Sequence, residues 1–255
     1  MGKDRFQLPM LAGEILLKNG AEIFRVEQTI ERMALALGAQ RVDVMAVLSG
    51  IQASFTADDE VYTYIRRIRN RRTGLSLIAK VNHVSREFCS GNLTFEQAQK
   101  ELNLIDASPT HSSSLKKALA AGLGALCFSL LFGLRNPLPL ILATLNGSLA
   151  SIFVDFFSTK GWPEYLTTFV TGFLLASLTL FYPIASHLDA DRVLLAALFL
   201  ILPGVPLSTT IRELTNGDLI SGTARLAETL ITLITIAAGV YTAFTILQGR
   251  FNAWN

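Results

Sequence analysis

The stretch LPGVPLSTTIRELTNGDLISGTAR, residues 202–225, places polar and backbone chemistry at the end of an apolar run. Pro203 and Pro206 remove backbone donors and clash with the preceding turn, so with Gly204 between them they should break the helix and free carbonyl groups. Three hydroxyl side chains follow the break: Ser208, Thr209 and Thr210. We expect a new helix after Pro206, capped by these hydroxyls, whose amides and dipole would favour a carboxylate. A plain proline kink, with the hydroxyls bonded to their own helix, is the alternative.

Charged side chains come next, spaced closely and separated by glycines. They are Arg212, Glu213, Asp218 and Arg225, with Gly217 and Gly222 between them. Asn216 before Gly217 is a strong turn signal. We therefore expect the two arginines to pair with the two acids across a tight turn. Direct contact with a bound ligand is the alternative interpretation.

Two further polar residues interrupt an earlier apolar run. Asn146 should face a helix partner or a cavity rather than lipid, and it is followed by small residues that allow close helix approach: Gly147, Ser148, Ala150 and Ser151. Asp155 falls near the carboxyl end of the same helix, where the dipole disfavours a negative charge, so it needs a cation, a proton or water. A protonatable acid in a membrane helix is a candidate for coupling to a proton gradient. An interfacial carboxylate facing headgroup water is the alternative.

The amino-terminal part also carries charged candidates. Glu22, Arg25 and Glu27 crowd about one turn of a predicted helix, but such pairs are usually surface salt bridges worth little. The basic run at 66–72 is a candidate site for nucleic acid or anionic lipid headgroups. No aromatic platform accompanies it, so we favour a solvated strand end and loop. His187 with Asp189 and Asp191 hints only weakly at a metal, and we expect no metal site, cofactor or nucleic-acid partner.

The distribution of charge divides the chain into a polar front and an apolar back. Residues 1–114 hold 27 of the 42 charged side chains. Five stretches without Asp, Glu, Lys or Arg follow, at 118–134, 136–154, 165–188, 193–211 and 229–249. Each is about long enough to cross a hydrocarbon core of about 30 Å. We predict five transmembrane helices at about 115–134, 137–158, 164–187, 193–211 and 224–248 within a membrane domain at 115–255.

The basic residues that flank these spans predict the orientation. Five lie on the side of the amino-terminal domain: Lys116, Lys117, Lys160, Arg212 and Arg225. Three lie opposite: Arg135, Arg192 and Arg250. No signal peptide is visible, so we expect a multi-pass protein of the cell membrane with the front domain in the cytoplasm and the carboxyl terminus outside. The break after Leu202 would then lie about 15–20 Å into the fourth span, a depth at which transporters use discontinuous helices to hold polar substrates.

The front domain, residues 1–105, has mixed α+β patterning. Apolar residues at helical spacing predict helices at 8–19, about 21–37 and 75–88, and a fourth helix with a capping box from Thr94 to Gln97. Gly20 and Gly38 should end the first two helices. The runs VDVMAVLSG, IQASF and VYTYIRRI predict strands, with TADDE as a hairpin loop. Residues 106–114 form a linker, and Cys89 and Cys127 support neither a disulfide nor a zinc cluster.

Three blocks of sequence, in order, resemble the threonine/serine exporter (ThrE-like) family. They are AGEILLKNGAEIFRVEQTIERMALALGA, VNHVSREFCSGNLTFEQAQKEL and LPGVPLSTTIRELTNGDLISGTARLAE. The family's Pro-Thr-Gly-Ile-like turn reads LSGIQASF here and keeps only Gly50 and Ile51. The resemblance implies the longer half of a split pair, working with a smaller membrane subunit of about four spans or as a homo-oligomer.

The expected fold is thus a mainly α membrane protein with a small cytoplasmic α+β domain and a fourth span broken by Pro and Gly. The expected function is export of a small carboxylate-bearing metabolite of the threonine/serine type, driven by a proton gradient. Export of a dicarboxylate such as succinate is the alternative that the resemblance leaves open, and a membrane-anchored metabolite sensor is a more distant one. The spans offer no deep histidine for a Ser–His pair and only one acid, which disfavours a membrane-embedded enzyme.

Overall fold

The computed structural model describes residues 3–108, 113–182 and 187–251, and side chains within 5–108, 113–182 and 189–247. The chain forms two compact units. Unit 1 combines the amino-terminal region to Thr110 with Val205–Leu226, and unit 2 combines His111–Gly204 with the chain from Ala227 onward. Much of the predicted linker, and the tail after residue 251, lie outside the described residues.

Unit 1 contains the predicted helices and sheet. Its helices are α1 (Gln7–Lys18), preceded by the 3-10 turn Lys3–Phe6, then α2 (Ile23–Ala36), α3 (Leu75–Cys89) and α4 (Phe95–Asp106). Gly20 and Gly38 both have φ of +85°, which confirms that they end α1 and α2 in left-handed conformations. The capping box at the start of α4 is also present, because Thr94 and Gln97 exchange hydrogen bonds.

The three strands form one antiparallel sheet in the order β1-β2-β3. They are β1 (Arg41–Val47), β2 (Gly50–Ala57) and β3 (Glu60–Arg67). Asp58 and Asp59 form the β2–β3 loop with positive φ at both positions, as a two-residue hairpin turn requires. Alternate residues of β2 are buried, and Phe55 stacks on Phe6 with ring centroids 4.8 Å apart. The sheet therefore closes one side of the amino-terminal core.

Unit 2 is helical in its described part and is held together by small residues. It contains α5 (Ser114–Leu131), α6 (Pro137–Thr159), α7 (Glu164–Leu180), α8 (His187–Ile201) and most of α10 (Leu219–Phe251). A Cβ added at Gly147 of α6 would lie 2.8 Å from the Ala121 carbonyl oxygen of α5. One at Gly172 of α7 would lie 3.0 Å from the Ile236 carbonyl oxygen of α10. The Gly147 contact confirms that a small residue directly after Asn146 allows close helix approach.

Helix length and hydropathy support fewer spans than the five predicted. Within the described residues, α5, α6 and Leu219–Leu247 are long and apolar enough to cross a membrane. α8 and the following helix, α9 (Gly204–Thr215), qualify only as one bent pair, and α7 is shorter at 17 residues. The lengths therefore give three spans, or four with the bent pair counted as one, and five stays a prediction.

The fourth predicted span has the break that the sequence predicts, but not the expected grouping. We expected one span over 193–211 broken by Pro and Gly, and α8 ends at Ile201 while α9 begins at Gly204, a pair bent by 58°. Residues 205–226 group with the amino-terminal elements in unit 1, whereas we had placed them in the membrane domain. The physical reason is that this segment carries charges whose partners also belong to unit 1.

Candidate functional site

The helix break occurs at Pro203, but the new helix begins earlier than expected. α9 starts at Gly204, so Pro206 occupies its first turn, where a missing amide hydrogen is tolerated. The hydroxyls do not cap this helix. Ser208 donates to the Val205 carbonyl at 2.9 Å and Thr210 to the Pro206 carbonyl at 2.8 Å. The prediction of a hydroxyl-capped helix start after Pro206 was wrong, and the alternative, back-bonding within the helix, holds at Ser208 and Thr210.

Thr209 and Thr210 are nevertheless buried, together with Glu213 one turn further along α9. Glu213 is fully buried and accepts two hydrogen bonds from Arg225, from Nε and Nη2, each at 2.9 Å. The two residues stand 12 positions apart, across the turn at Gly217, which has a φ of +89°. This bidentate ion pair joins Glu213 of α9 to Arg225 of α10, and it confirms that Arg225 pairs with an acid across a tight turn.

Arg212 has a different partner from the one expected. It donates to Glu22 Oε1 at 2.8 Å, across 190 positions of sequence, and not to Glu213 or Asp218. Glu22 is 8% exposed and also accepts from Arg25 at 2.9 Å. Arg212 was expected to pair with an acid of the local turn, but Glu213 of that turn is already bound by Arg225. The Glu22 carboxylate thus joins the residue 205–226 segment to the start of α2.

Glu27 and Asp218 are the remaining acids of this cluster. Glu27 accepts a hydrogen bond from the Ala46 amide at 2.8 Å, so it joins α2 to β1 instead of forming the surface salt bridge expected of it. Burial raises the pKa of the Glu27 carboxyl, the Ala46 amide opposes that rise, and the negative charge of Asp218 adds to it. Asp218 Oδ2 is buried without a hydrogen-bond partner among the described residues. Asp218 therefore lies close enough to Glu27 to influence the pKa of the Glu27 carboxyl.

In unit 2, Asn146 is fully buried, and both its amide nitrogen and its amide oxygen are hydrogen-bonded. Its Nδ2 donates to Thr179 Oγ1 at 2.9 Å, and Tyr182 donates to its Oδ1 at 2.6 Å. Thr179 in turn donates to the Leu175 carbonyl at 2.8 Å. The expectation that Asn146 faces a helix partner is confirmed, and that partner is α7.

Asp155 has the cation that its position requires. Lys117 donates to its Oδ1 at 2.9 Å and Ser114 to its Oδ2 at 2.8 Å, so the ion pair joins the start of α5 to the end of α6. The Asp155 side chain is 26% exposed. Of the three ways to accommodate this carboxylate that the sequence left open, the structure has the cation.

Sequence reasoning missed a row of threonines on α7. Thr167, Thr171 and Thr179 are buried and repeat at multiples of four, so they share one helix face. The Thr167 and Thr171 hydroxyl oxygens have no hydrogen-bond partner among the described residues. The four-residue spacing of threonines in an apolar run is the signal that would have revealed this polar face.

Metal ligands do not cluster in the described part of the chain, where no group of three or more His, Cys, Asp or Glu side chains is placed to hold an ion. The His187 side chain lies outside the described side chains, so the candidate metal site of His187 with Asp189 and Asp191 remains an interpretation of the sequence. Asp189 pairs with Arg192 and accepts a hydrogen bond from Asn136.

Long apolar helices with hydrogen-bonded polar groups buried between them are the architecture of an integral membrane protein. A family model described as "Putative threonine/serine exporter" matches residues 7–247. The chain belongs to this family of membrane transporters, and it is not an enzyme.

Three curated relatives match at low identity. A "Probable threonine/serine exporter" of Mycobacterium tuberculosis is 24% identical over 250 residues, which cover 96% of this chain but 46% of that protein. The chain therefore spans less than half the length of that relative. Proteins named "Probable succinate transporter subunit YjjP" are 22% identical, covering 90% of this chain and 89% of the Klebsiella aerogenes protein, and 94% and 93% for Escherichia coli K12. No solved structure matches the chain.

Proposed function

We propose that this chain is a subunit of an exporter that carries a small carboxylate-bearing metabolite out of the cytoplasm. The observation that carries the proposal is the buried polar cluster of Asn146, Thr179 and Tyr182 between α6 and α7. Polar groups buried in membrane helices mark substrate or ion pathways. The Thr167 and Thr171 hydroxyls extend the polar face along α7 and offer further donors for a carboxylate.

The substrate is either an amino acid of the threonine/serine type or a dicarboxylate such as succinate. The Mycobacterium tuberculosis relative is named for the first and the two enterobacterial relatives for the second. The latter two match this chain over nearly their whole length and are named as subunits. On that support we propose a partner subunit, a smaller membrane protein of about four spans, with a homo-oligomer as the alternative.

The charged cluster of unit 1 is proposed as a gate on the cytoplasmic side. It comprises Glu22, Arg25, Glu27, Arg212, Glu213, Asp218 and Arg225. Pro203, Gly204 and Pro206 supply the helix break that precedes it, while Ser208 and Thr209 follow on α9. The amino-terminal domain is proposed to face the cytoplasm and the carboxyl terminus the outside.

Transport in proteoliposomes tests the proposal directly. The purified chain, alone and with its co-purifying partner, should move labelled threonine, serine or succinate. Asn146→Leu should lower the rate by about tenfold or more, as loss of one buried hydrogen-bonded group implies, while the exposed Asn103→Ala should not change it. No movement of any of the three substrates, with or without the partner, would refute the proposed function.

Gate and helix break are tested by Arg212→Ala and Pro203→Ala in the same assay. Both should slow transport while the folded protein is retained, and Arg67→Ala, at an exposed arginine of β3, serves as the matched control. If transport survives both changes, the segment is only a kink and a turn.

Proton coupling is tested at Asp155. If the carboxyl carries protons, Asp155→Asn should abolish stimulation by an imposed pH gradient, and adding Lys117→Met should not restore it. If the ion pair only joins α5 to α6, the double variant should recover the transport that the single variant loses, because no uncompensated charge remains.

A further inference from the structure

A polar groove lies between α2 and α3 in unit 1, and Arg25 is the one lining residue that it shares with the charged cluster. Its volume is about 330 Å³. The lining side chains are Arg25, Gln28, Thr29, Arg32, Asn82, Ser85, Arg86, Cys89 and Ser90. Volumes from about 300 Å³ are typical of small-molecule sites, so the groove has the size for a small metabolite.

The charge of this groove has one sign. Arg25 and Arg32 stand seven positions apart on one face of α2, and Arg86 faces them from α3, while the lining contains no Asp or Glu. Arg25 is paired with Glu22, but that carboxylate is shared with Arg212. The cationic charge of the groove therefore exceeds the anionic charge available to it.

Neutral hydrogen-bonding groups complete the lining. Gln28 and Asn82 carry amides, and Thr29 and Ser85 add hydroxyls to the lining, each residue being buried at 8% exposed. Guanidinium groups bind carboxylate and phosphate through paired N–H donors. Three such groups on two helices match a ligand that carries more than one acidic group.

We propose that this groove binds a small anionic metabolite bearing at least two carboxylate or phosphate groups. The two helices that form it contribute arginines from both sides, so the bound anion would bridge α2 and α3. This ligand is separate from the transported substrate, and the assignment does not depend on which substrate the exporter carries.

Cys89 supplies a built-in reporter of occupancy. The thiol lies in the lining of the groove and is exposed at the surface. Burial raises its pKa, while the Ser85 hydrogen bond and the Arg32 charge lower it. An anion held by Arg32 would offset that charge and shield the sulfur, and each unit of rise in thiol pKa lowers the reactive thiolate about tenfold.

The experiment measures alkylation of Cys89 by iodoacetamide in the full chain with Cys127→Ser, in nanodiscs of phosphatidylcholine. Citrate, succinate, inorganic phosphate and pyrophosphate are titrated at constant pH and ionic strength. At least one of these anions should slow alkylation saturably, by about fivefold or more given the thiolate dependence above. Arg32→Gln and Arg86→Gln should each abolish the protection, while Arg69→Gln, at an exposed arginine outside the groove, should retain it.

Two results would overturn the proposal. One is an alkylation rate of Cys89 that none of the four anions changes, although iodoacetamide alkylates the unfolded protein at the normal rate. The other is protection that survives both groove variants. A further arm uses nanodiscs containing phosphatidic acid: protection there without soluble anion, lost in the same variants, would assign the groove to a lipid headgroup instead of a free metabolite. If Arg32→Gln lowers the thermal stability of the protein, Arg32→Lys keeps the charge and should retain only part of the protection.

Discussion

Arg225→Met is the substitution whose effect on stability the structure defines best. Arg225 provides both hydrogen bonds to the Glu213 carboxylate, and Glu213 is 0% exposed. Met fills a similar volume but leaves that carboxylate buried without its guanidinium. Removing one partner of a buried ion pair costs about 3–5 kcal/mol, which corresponds to a loss of about two to four orders of magnitude in the equilibrium protection of the local structure.

Hydrogen–deuterium exchange of the full chain in nanodiscs measures this protection in peptides covering α9 and the first turns of α10. The double variant Glu213→Leu with Arg225→Met should regain most of the protection, because hydrophobic replacement of a whole pair is often neutral. Arg212→Met is the matched control, since this arginine is 66% exposed and its pair should contribute no more than about 1 kcal/mol. Protection that stays within about tenfold of wild type, or a double variant as defective as the single one, would refute the reasoning.

Two further predictions follow from burial and close packing. The raised pKa of Glu27 means that the folded state holds its proton more tightly than the unfolded state, so stability should fall as pH rises from 4.5, the ordinary value, through the raised one. Glu27→Gln should flatten this part of a pH series of thermal unfolding, with Glu31→Gln, at an exposed position of α2, as control; an unchanged slope would contradict the assignment. Gly147→Ala should destabilise the α5–α6 pair by about 1–3 kcal/mol, because its Cβ would lie 2.8 Å from a carbonyl oxygen, whereas a Cβ at Gly204 meets nothing within 4 Å. Equal melting temperatures for Gly147→Ala and Gly204→Ala would count against the close packing.

The amino-terminal elements were predictable because their signals are local. Apolar residues at helical spacing placed α1 to α3 within a few positions, and Gly20 and Gly38 marked the ends of α1 and α2. The capping box and the alternation of β2 likewise depend only on neighbours in sequence. Each of these features is decided by residues within one or two turns, which is the distance over which a sequence pattern carries information.

The candidate site was predictable only where its partners are near in sequence. The Glu213–Arg225 pair spans 12 positions and was expected, whereas Glu22–Arg212 spans 190 and was not. The Asn146 partner Thr179 lies on the next helix, 33 positions away, and sequence patterning gave only the expectation that some partner exists. The helix break at 203–204 was predictable because Pro203 and Gly204 act on their own helix, whereas the grouping of residues 205–226 with unit 1 depends on the distant Glu22.

The Glu22 carboxylate makes one contact that is near in sequence and one that is distant. Its carboxylate accepts from Arg25, three positions along α2, and from Arg212, on α9. Arg25 also lines the groove of arginines between α2 and α3. An anion that bound Arg25 there would compete with Glu22 for the same guanidinium, and a Glu22 carboxylate relieved of Arg25 would be more fully available to Arg212. Binding in the groove would therefore strengthen the contact between α2 and the residue 205–226 segment, which carries four of the seven residues of the cluster proposed as a gate. By linkage, the factor by which a bound anion strengthens the Glu22–Arg212 pair equals the factor by which that pair strengthens anion binding. Arg212→Ala removes the pair, so it should lower the affinity that Cys89 protection reports even though Arg212 is not in the groove.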